Sequence, residues 1–498
     1  MSDGEKKFFI KSSSLQQGEK NYLRLFEYIS EQPEYNEETL KEQIKKEPFI
    51  KHLASEKNQL FHHVLKSIRL YRINQKGSAY VFDKSKEIQI LYERGLHELA
   101  DMEAETVKNI ANQNELFHSL LEVLHLQIRF APVSEIPNDE KCKRLQKLLE
   151  EKNSCIEQID SIRIYTQLLS EVEYYFNQSI LIHDASRKYM LESFLNNPYL
   201  KNEPESICQK AKMLASFSRM ICYRLLRDHE KLSLSVENTG SLFKKNEFLI
   251  REFPKLYINY YGFKARLEAI NNNFGEAKLF IDKVREIKNE EFFSSPDLQN
   301  HIFSRLTVYD LMYANYSGMF HIIDSQLPEI QRKMEEEGDK IVAQERTTIH
   351  FLLFVNAFAK NEVTKALKHL NVILNSDFET SRQDLYRMAK LCYLLVHEEM
   401  NNESFLIYSY KSTQRFFKKL DHVFQYEAVF LKYFRLYAIS VKRPESKSDY
   451  LFSMKKQLME VFKDPYQRIA TEYFDFIAWI DSKLNASSYE AELKLKRN

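Results

Sequence analysis

Nucleotide chemistry needs glycines in a phosphate-cradling loop, and in this chain they are too few and too far apart. The nine glycines stand at positions 4, 18, 77, 95, 240, 262, 275, 318 and 338, so neither GxGxxG nor GxxxxGK[ST] can be written. Cys-x-x-Cys and His-Glu-x-x-His are absent as well, which removes the common zinc spacings. His62-His63 and the pair His118/His125 come nearest to a ligand cluster. Adjacent helical residues point about 100° apart, however, and i, i+7 lie two turns apart. His183-Asp184-Ala185-Ser186 holds the residue types of a hydrolase triad. Such triads are assembled from distant segments around a strained turn, so a helix-capping role for Asp184 or Ser186 is expected instead. Glu335-Glu336-Glu337-Gly338-Asp339 reads as a solvated helix end rather than a metal site. The expectation is a protein that is not an enzyme, with no catalytic residue, no metal and no cofactor.

Two features point to binding. Residues 41–76 carry nine Lys or Arg against three Glu, a net of +6. Helix, turn and long basic helix in that order would let Lys57, Asn58, Gln59 and His62 face a nucleic acid. The opposite reading is a structural cap or protein-docking surface in which Phe61, Val64, Leu65 and Ile68 bury one face. Candidate docking residues are Lys57, Asn58, His62, Lys66, Arg69 and Arg72. The second feature is the abundance of Tyr and Phe, 29 and 35, which recur at helical spacing in stretches such as 257–261 and 408–410. Most should pack between helices. Tyr257, Tyr261, Tyr408 and Tyr410 are the candidates for a peptide-binding groove.

The elements that must position these residues are helical hairpins. Leu256, Tyr260, Phe263, Leu267 and Ile270 lie on one face of a helix. Asn271-Asn272-Asn273 breaks the pattern, and Ala277, Phe280, Ile281, Val284 and Ile287 form the apolar face of a second helix. Comparable turns recur at Gly95, Asn138-Asp139, His183-Asp184, Asp228-His229, Asn272-Asn273, Ser317-Gly318, Asn361, Asn401-Asn402 and Pro444-Glu445, 40 to 45 residues apart. Breaks between hairpins are expected near their midpoints, among them Lys152-Asn153-Ser154, Phe253-Pro254, Ser294-Ser295-Pro296 and Asp464-Pro465. A half-period of about 22 residues leaves helices of about 27 Å. Single pairs cannot cover their own apolar faces, so they must stack.

The hairpin at 253–289 resembles the tetratricopeptide repeat. Tyr261, Ala265, Phe274, Ala277, Ile281 and Val284 fall where that family places its first aromatic, its small residues and its packing positions. Lys264 and Glu268 depart from it, and Asn289 stands where the family has its terminal proline. The period is nearer to HEAT repeats, or to the elongated repeats of bacterial peptide-sensing regulators. With its segment Glu19 to Phe26, the chain as a whole also resembles a group of bacterial proteins, a likeness that implies no function. The resemblance implies an all-α fold, a right-handed α-solenoid of about nine stacked hairpins behind an amino-terminal helical domain. The expected division is a flexible lead at 1–17, a basic helical domain at 18–78, the repeat array at 79–464, and a capping helix and frayed tail at 465–498.

Composition sets the remaining expectations. Nine Gly and eleven Pro in 498 residues disfavour turn-rich sheet folds. A net charge of +1 gives no global attraction to nucleic acid or membrane. The start of the chain lacks the apolar core of a signal peptide, the longest apolar run (351–359) is too short to span a bilayer, and five widely spaced cysteines suit reduced thiols. A cytoplasmic protein with a protein or peptide partner and no membrane is expected. The alternative is a regulator with a nucleic-acid-binding amino-terminal region and a sensor array.

Overall fold

The structure is a computed structural model that describes residues 1–14, 21–32, 35–73, 77–131, 137–179, 185–202, 207–375, 382–439 and 445–496. The described residues are helical, with no strand among them. The chain forms two compact units, Met1–Ile162 and Arg163–Asn498, so the boundary expected after residue 78 lies inside the first unit. The turn expected at His183-Asp184, the break between hairpins expected at Ser376-Asp377, and Glu203-Pro204 of the break expected at Asn202-Glu203-Pro204 fall outside the described residues, as do Pro444 and Lys76.

The first unit contains α1 (Asp3–Ser14), α2 (Asn21–Glu31), α3 (Glu37–Gln43), α4 (Leu53–Ile73), α5 (Ser78–Glu93), α6 (His97–Gln113), α7 (Phe117–Phe130) and the first part of α8 (Asn138–Gln178). Helices α1 to α4 enclose Phe9, Tyr22, Leu25, Phe26, Leu40, Ile44, Phe49, Leu53 and Leu60. The lead expected to be flexible is therefore helical from Asp3 to Ser14. Phe9 anchors it edge-on against Phe26, 4.7 Å between centroids. In α3, Asn36 caps the helix by accepting from the Glu38 and Thr39 amides, as its sequence suggests. The break expected at 152–154 is absent, because α8 runs through it, whereas the turn expected at Asn138-Asp139 coincides with the start of that helix. Residues 138–178 contain neither Gly nor Pro, and Asn or Ser inside a helix costs only about 0.5 kcal/mol, too little to stop it.

In the second unit α9 (Ala185–Leu195) and α10 (Pro198–Lys201) precede α11 (Gln209–Leu226), α12 (His229–Lys245), α13 (Phe248–Glu252), α14 (Pro254–Ile270), α15 (Phe274–Ile287) and α16 (Pro296–Ser317). Then come α17 (Leu327–Glu337), α18 (Ala343–Ala359), α19 (Val363–Leu374), α20 (Gln383–Glu399), α21 (Glu403–Lys418), α22 (Gln425–Phe434) and α23 (Glu445–Val461). Consecutive helices pair as α11 with α12, α14 with α15, α18 with α19 and α20 with α21. The first members also pack on one another, α14 on α16, α16 on α18 and α18 on α20.

One backbone device makes several of these hairpins. Arg227, Asn272, Asn361 and Asn401 adopt φ of 62°, 62°, 60° and 53°. Each lets the following amide reach back to a carbonyl five residues earlier: Asp228 to Tyr223, Asn273 to Glu268, Glu362 to Ala357 and Asn402 to His397, at 2.8 to 3.2 Å. This left-handed cap satisfies the helix-end carbonyls and reverses the chain. Asparagine tolerates that conformation better than other non-glycine residues, which is why the Asn turns were readable in the sequence.

The chain ends as α24 (Pro465–Arg468), α25 (Ala470–Tyr473), α26 (Phe476–Leu484) and α27 (Tyr489–Leu495). The single capping helix expected here is thus broken into short pieces, and Leu493, expected in a frayed tail, is buried. Nor does the segment pack only on the last hairpin. Tyr466 donates to the Leu226 carbonyl, Gln467 accepts from the Tyr426 amide at 3.4 Å, and Phe474 packs on Phe354 and Phe358. Trp479 is fully buried and donates to Glu399 at 3.0 Å. Residues 466–479 are therefore held by α11, α18, α20 and α22 at once.

A mixed basic and apolar surface and an interior arginine cluster

In the first unit α4 presents Asn58, His62, Lys66 and Arg69 on one exposed face, at i, i+4, i+8 and i+11. Arg72 continues that face and lies 3.6 Å from Glu5. Lys57 is drawn away from it. Its ammonium bonds Glu37 at 2.7 Å and sits over the Tyr35 ring at 5.3 Å. Lys41 also bonds Glu37, and the two lysines together hold that carboxyl down at about 2. The apolar face of α4 is not the expected one. Leu53, Leu60, Ser67 and half-buried Val64 face the core, whereas Phe61 is 57% and Leu65 48% exposed. The reason is register. α1 and α2 cover the stripe through positions 53, 60 and 67, leaving positions 61 and 65 beside Lys66 and Arg69.

The candidate groove tyrosines separate. Tyr257 and Tyr261 share a hydroxyl contact of 3.1 Å, and both pack edge-on within an aromatic group that includes Phe243 and Tyr260. Tyr410 is buried and donates to the Leu431 carbonyl at 3.0 Å. These three are packing residues, since each hydroxyl or ring is already engaged. Tyr408 alone is open, 69% exposed, near the Phe405 ring.

The cluster that sequence reasoning missed lies in the second unit. Glu472 accepts from Arg227 at 2.7 Å, from Arg266, and from the Tyr316 hydroxyl at 3.4 Å. Burial opposes its ionisation, but Arg266, Arg227 and Arg224 overcome that and hold the carboxyl at about 2. Arg224 stacks over Phe176 and Phe263, at 4.7 and 5.6 Å. Beside it, Tyr473 donates to Asp384 at 2.5 Å, and Asp384 also takes two bonds from Arg382, at 2.9 and 3.0 Å. The one trace of this in the sequence is that Arg224 and Arg266 stand about one repeat apart near the ends of two first helices. Nothing local marks Glu472 as their partner.

Chemically this arrangement fixes charge. Glu472 is paired with Arg227 and Arg266, and Asp384 with Arg382. Four cysteines, Cys155, Cys208, Cys222 and Cys392, are buried, and burial pushes the Cys155 thiol up to about 11, well away from a reactive thiolate. Among the described residues no group of three or more His, Cys, Asp or Glu is placed to hold a metal ion, and no helix is long and apolar enough to cross a membrane. No family model, no curated protein and no solved structure matches the chain.

Proposed function

We propose that the chain is a non-enzymatic, TPR-like helical-repeat scaffold that binds a protein or peptide partner in the cytoplasm, its hairpins stacked as a right-handed solenoid. The observation that carries this reading is the exposed pair Phe61 and Leu65 on the same face of α4 as Lys66 and Arg69. Large apolar side chains ringed by cations are what a protein interface buries at its centre and rim. The test is a tagged pull-down with nuclease present, comparing the native chain with Phe61→Ser/Leu65→Ser. A stoichiometric protein partner lost in the variant supports the reading, and a partner retained in full removes α4 as its site.

A second reading, a regulator whose amino-terminal unit binds nucleic acid, is favoured by the row Asn58, His62, Lys66, Arg69. Lys57 is committed to Glu37, so Lys66→Glu with Arg69→Glu is the informative pair. Nucleic acid that is retained by the native chain, lost at moderate salt and lost in this variant would put the regulator first.

A further inference from the structure

Three guanidiniums, Arg224, Arg227 and Arg266, surround one carboxylate, Glu472. The Arg227 side chain is only 6% exposed, yet its Nη2 has no hydrogen-bond partner among the described residues, and neither does Nε of Arg224. The rings of Phe176 and Phe263 orient Arg224 but supply no acceptor. A guanidinium does not shed its proton in a protein, and a buried cation without an acceptor is costly. Neighbouring groups do not meet the surplus. Asp228 is turned to the Lys231 ammonium at 2.8 Å and to its amide at 3.1 Å. Burial and Arg227 lower the pKa of His229 and so disfavour its charged form, and Tyr316 is itself a donor to Glu472.

The surroundings carry an excess of positive charge. A groove of about 730 Å³ is lined by Tyr223, Leu226 and Asp228, the sequence neighbours of Arg224 and Arg227, and by Tyr466. It carries Lys188, Lys201, Arg219 and Lys231 against Glu192 and Asp228. Excess cations along a groove raise the local concentration of anions, and guanidiniums match the geometry of carboxylate and phosphate oxygens.

We propose that Arg224 and Arg227 form an oxyanion-binding site, completed by a phosphate or a carboxylate that shares the cluster with Glu472. The site stands independently of the partner surface on α4, because its test needs only the purified chain. Thermal unfolding is followed while inorganic phosphate, or separately a capped glutamyl dipeptide, is added at constant ionic strength. The native chain shows a saturable rise in Tm of about 2 °C or more, and Arg224→Met/Arg227→Met shows none. A response to phosphate alone assigns a free oxyanion, and a response to the dipeptide assigns a carboxylate-bearing ligand. Glu472→Gln, which removes the competing carboxylate, shows half-saturation at a lower anion concentration. The proposal is overturned if the native chain responds no more than to matched sodium chloride, or if the double arginine variant responds fully. Calorimetric titration of the native chain decides the matter if that variant does not fold.

Discussion

Arg227 and Glu472 form an ion pair of 2.7 Å across 245 positions of the chain. Arg227 is the left-handed residue that ends α11, so the same residue turns the first hairpin of the second unit and receives its carboxy-terminal segment. The hydrogen bond joins a local backbone event to a contact that spans most of the unit's sequence.

Glu472→Gln should therefore be among the most destabilising polar changes in the protein. Removing one partner of a buried pair leaves the arginines uncompensated, and a loss of about 3 kcal/mol or more is expected in urea denaturation. Glu336→Gln, which breaks the exposed pair with Arg332, should cost below about 1 kcal/mol. Equal losses would mean that the interior pair is as solvated as the surface one.

Phe474 tests whether the terminal segment is part of the core. It is buried against Phe354, Phe358, Phe476 and Tyr489, so Phe474→Ala should cost about 3–5 kcal/mol. Phe292→Ala, at an exposed position, should cost under about 1 kcal/mol. A small loss at Phe474 would show that residues 465–476 detach without disturbing the helices.

Two glycines should respond to alanine in opposite directions. In α14 a Cβ on Gly262 would lie 2.1 Å from the Tyr309 hydroxyl and 2.2 Å from its ring carbon. Tyr309 is buried in the surrounding core and cannot swing aside freely, so Gly262→Ala should destabilise by about 1–3 kcal/mol. A Cβ on Gly275 in α15 would meet nothing within 4 Å, so Gly275→Ala should stabilise by about 0.5–1 kcal/mol. Chemical denaturation of both variants checks the pair, and a gain at Gly262 would refute the close approach.

Stability should fall on mild acidification through a histidine pair. His350 and His369 meet through their Nδ1 atoms at 3.2 Å. Burial holds both at about 4, with Arg346 and Lys368 adding to it for His350, and His350 and Lys368 for His369. Free imidazole titrates near 6.5, so between pH 6.5 and 4 the unfolded chain binds more protons than the folded one. This contribution is fully present above pH 6.5 and is lost as pH falls toward 4. His350→Gln/His369→Gln should remove several kcal/mol of that decline, measured as unfolding free energy at pH 7 and pH 4. An unchanged slope would place the acid sensitivity elsewhere, His301 being the next buried candidate.

The all-helical character, and helix-ending turns at Gly95, Asp228, Asn272, Gly318, Asn361 and Asn401, were legible because they are local. Scarce Gly and Pro, a 3.6-residue apolar period and asparagines that accept positive φ act within a few residues of one another. The unbroken run of α8 past Asn153 was misread because a weak helix former is not a helix breaker. Only tertiary structure could decide the rest. Which stripe of α4 faces inward depends on where α1 and α2 lie, and periodicity cannot choose between two neighbouring apolar stripes. Likewise Glu472 finds Arg227 and Arg266 only because the carboxy-terminal segment folds back against α11 and α14. No spacing in a linear chain records a contact made 245 residues away. The sequence by itself determined the helices and their turns, whereas their packing decided which side chains are buried, paired or left without an acceptor.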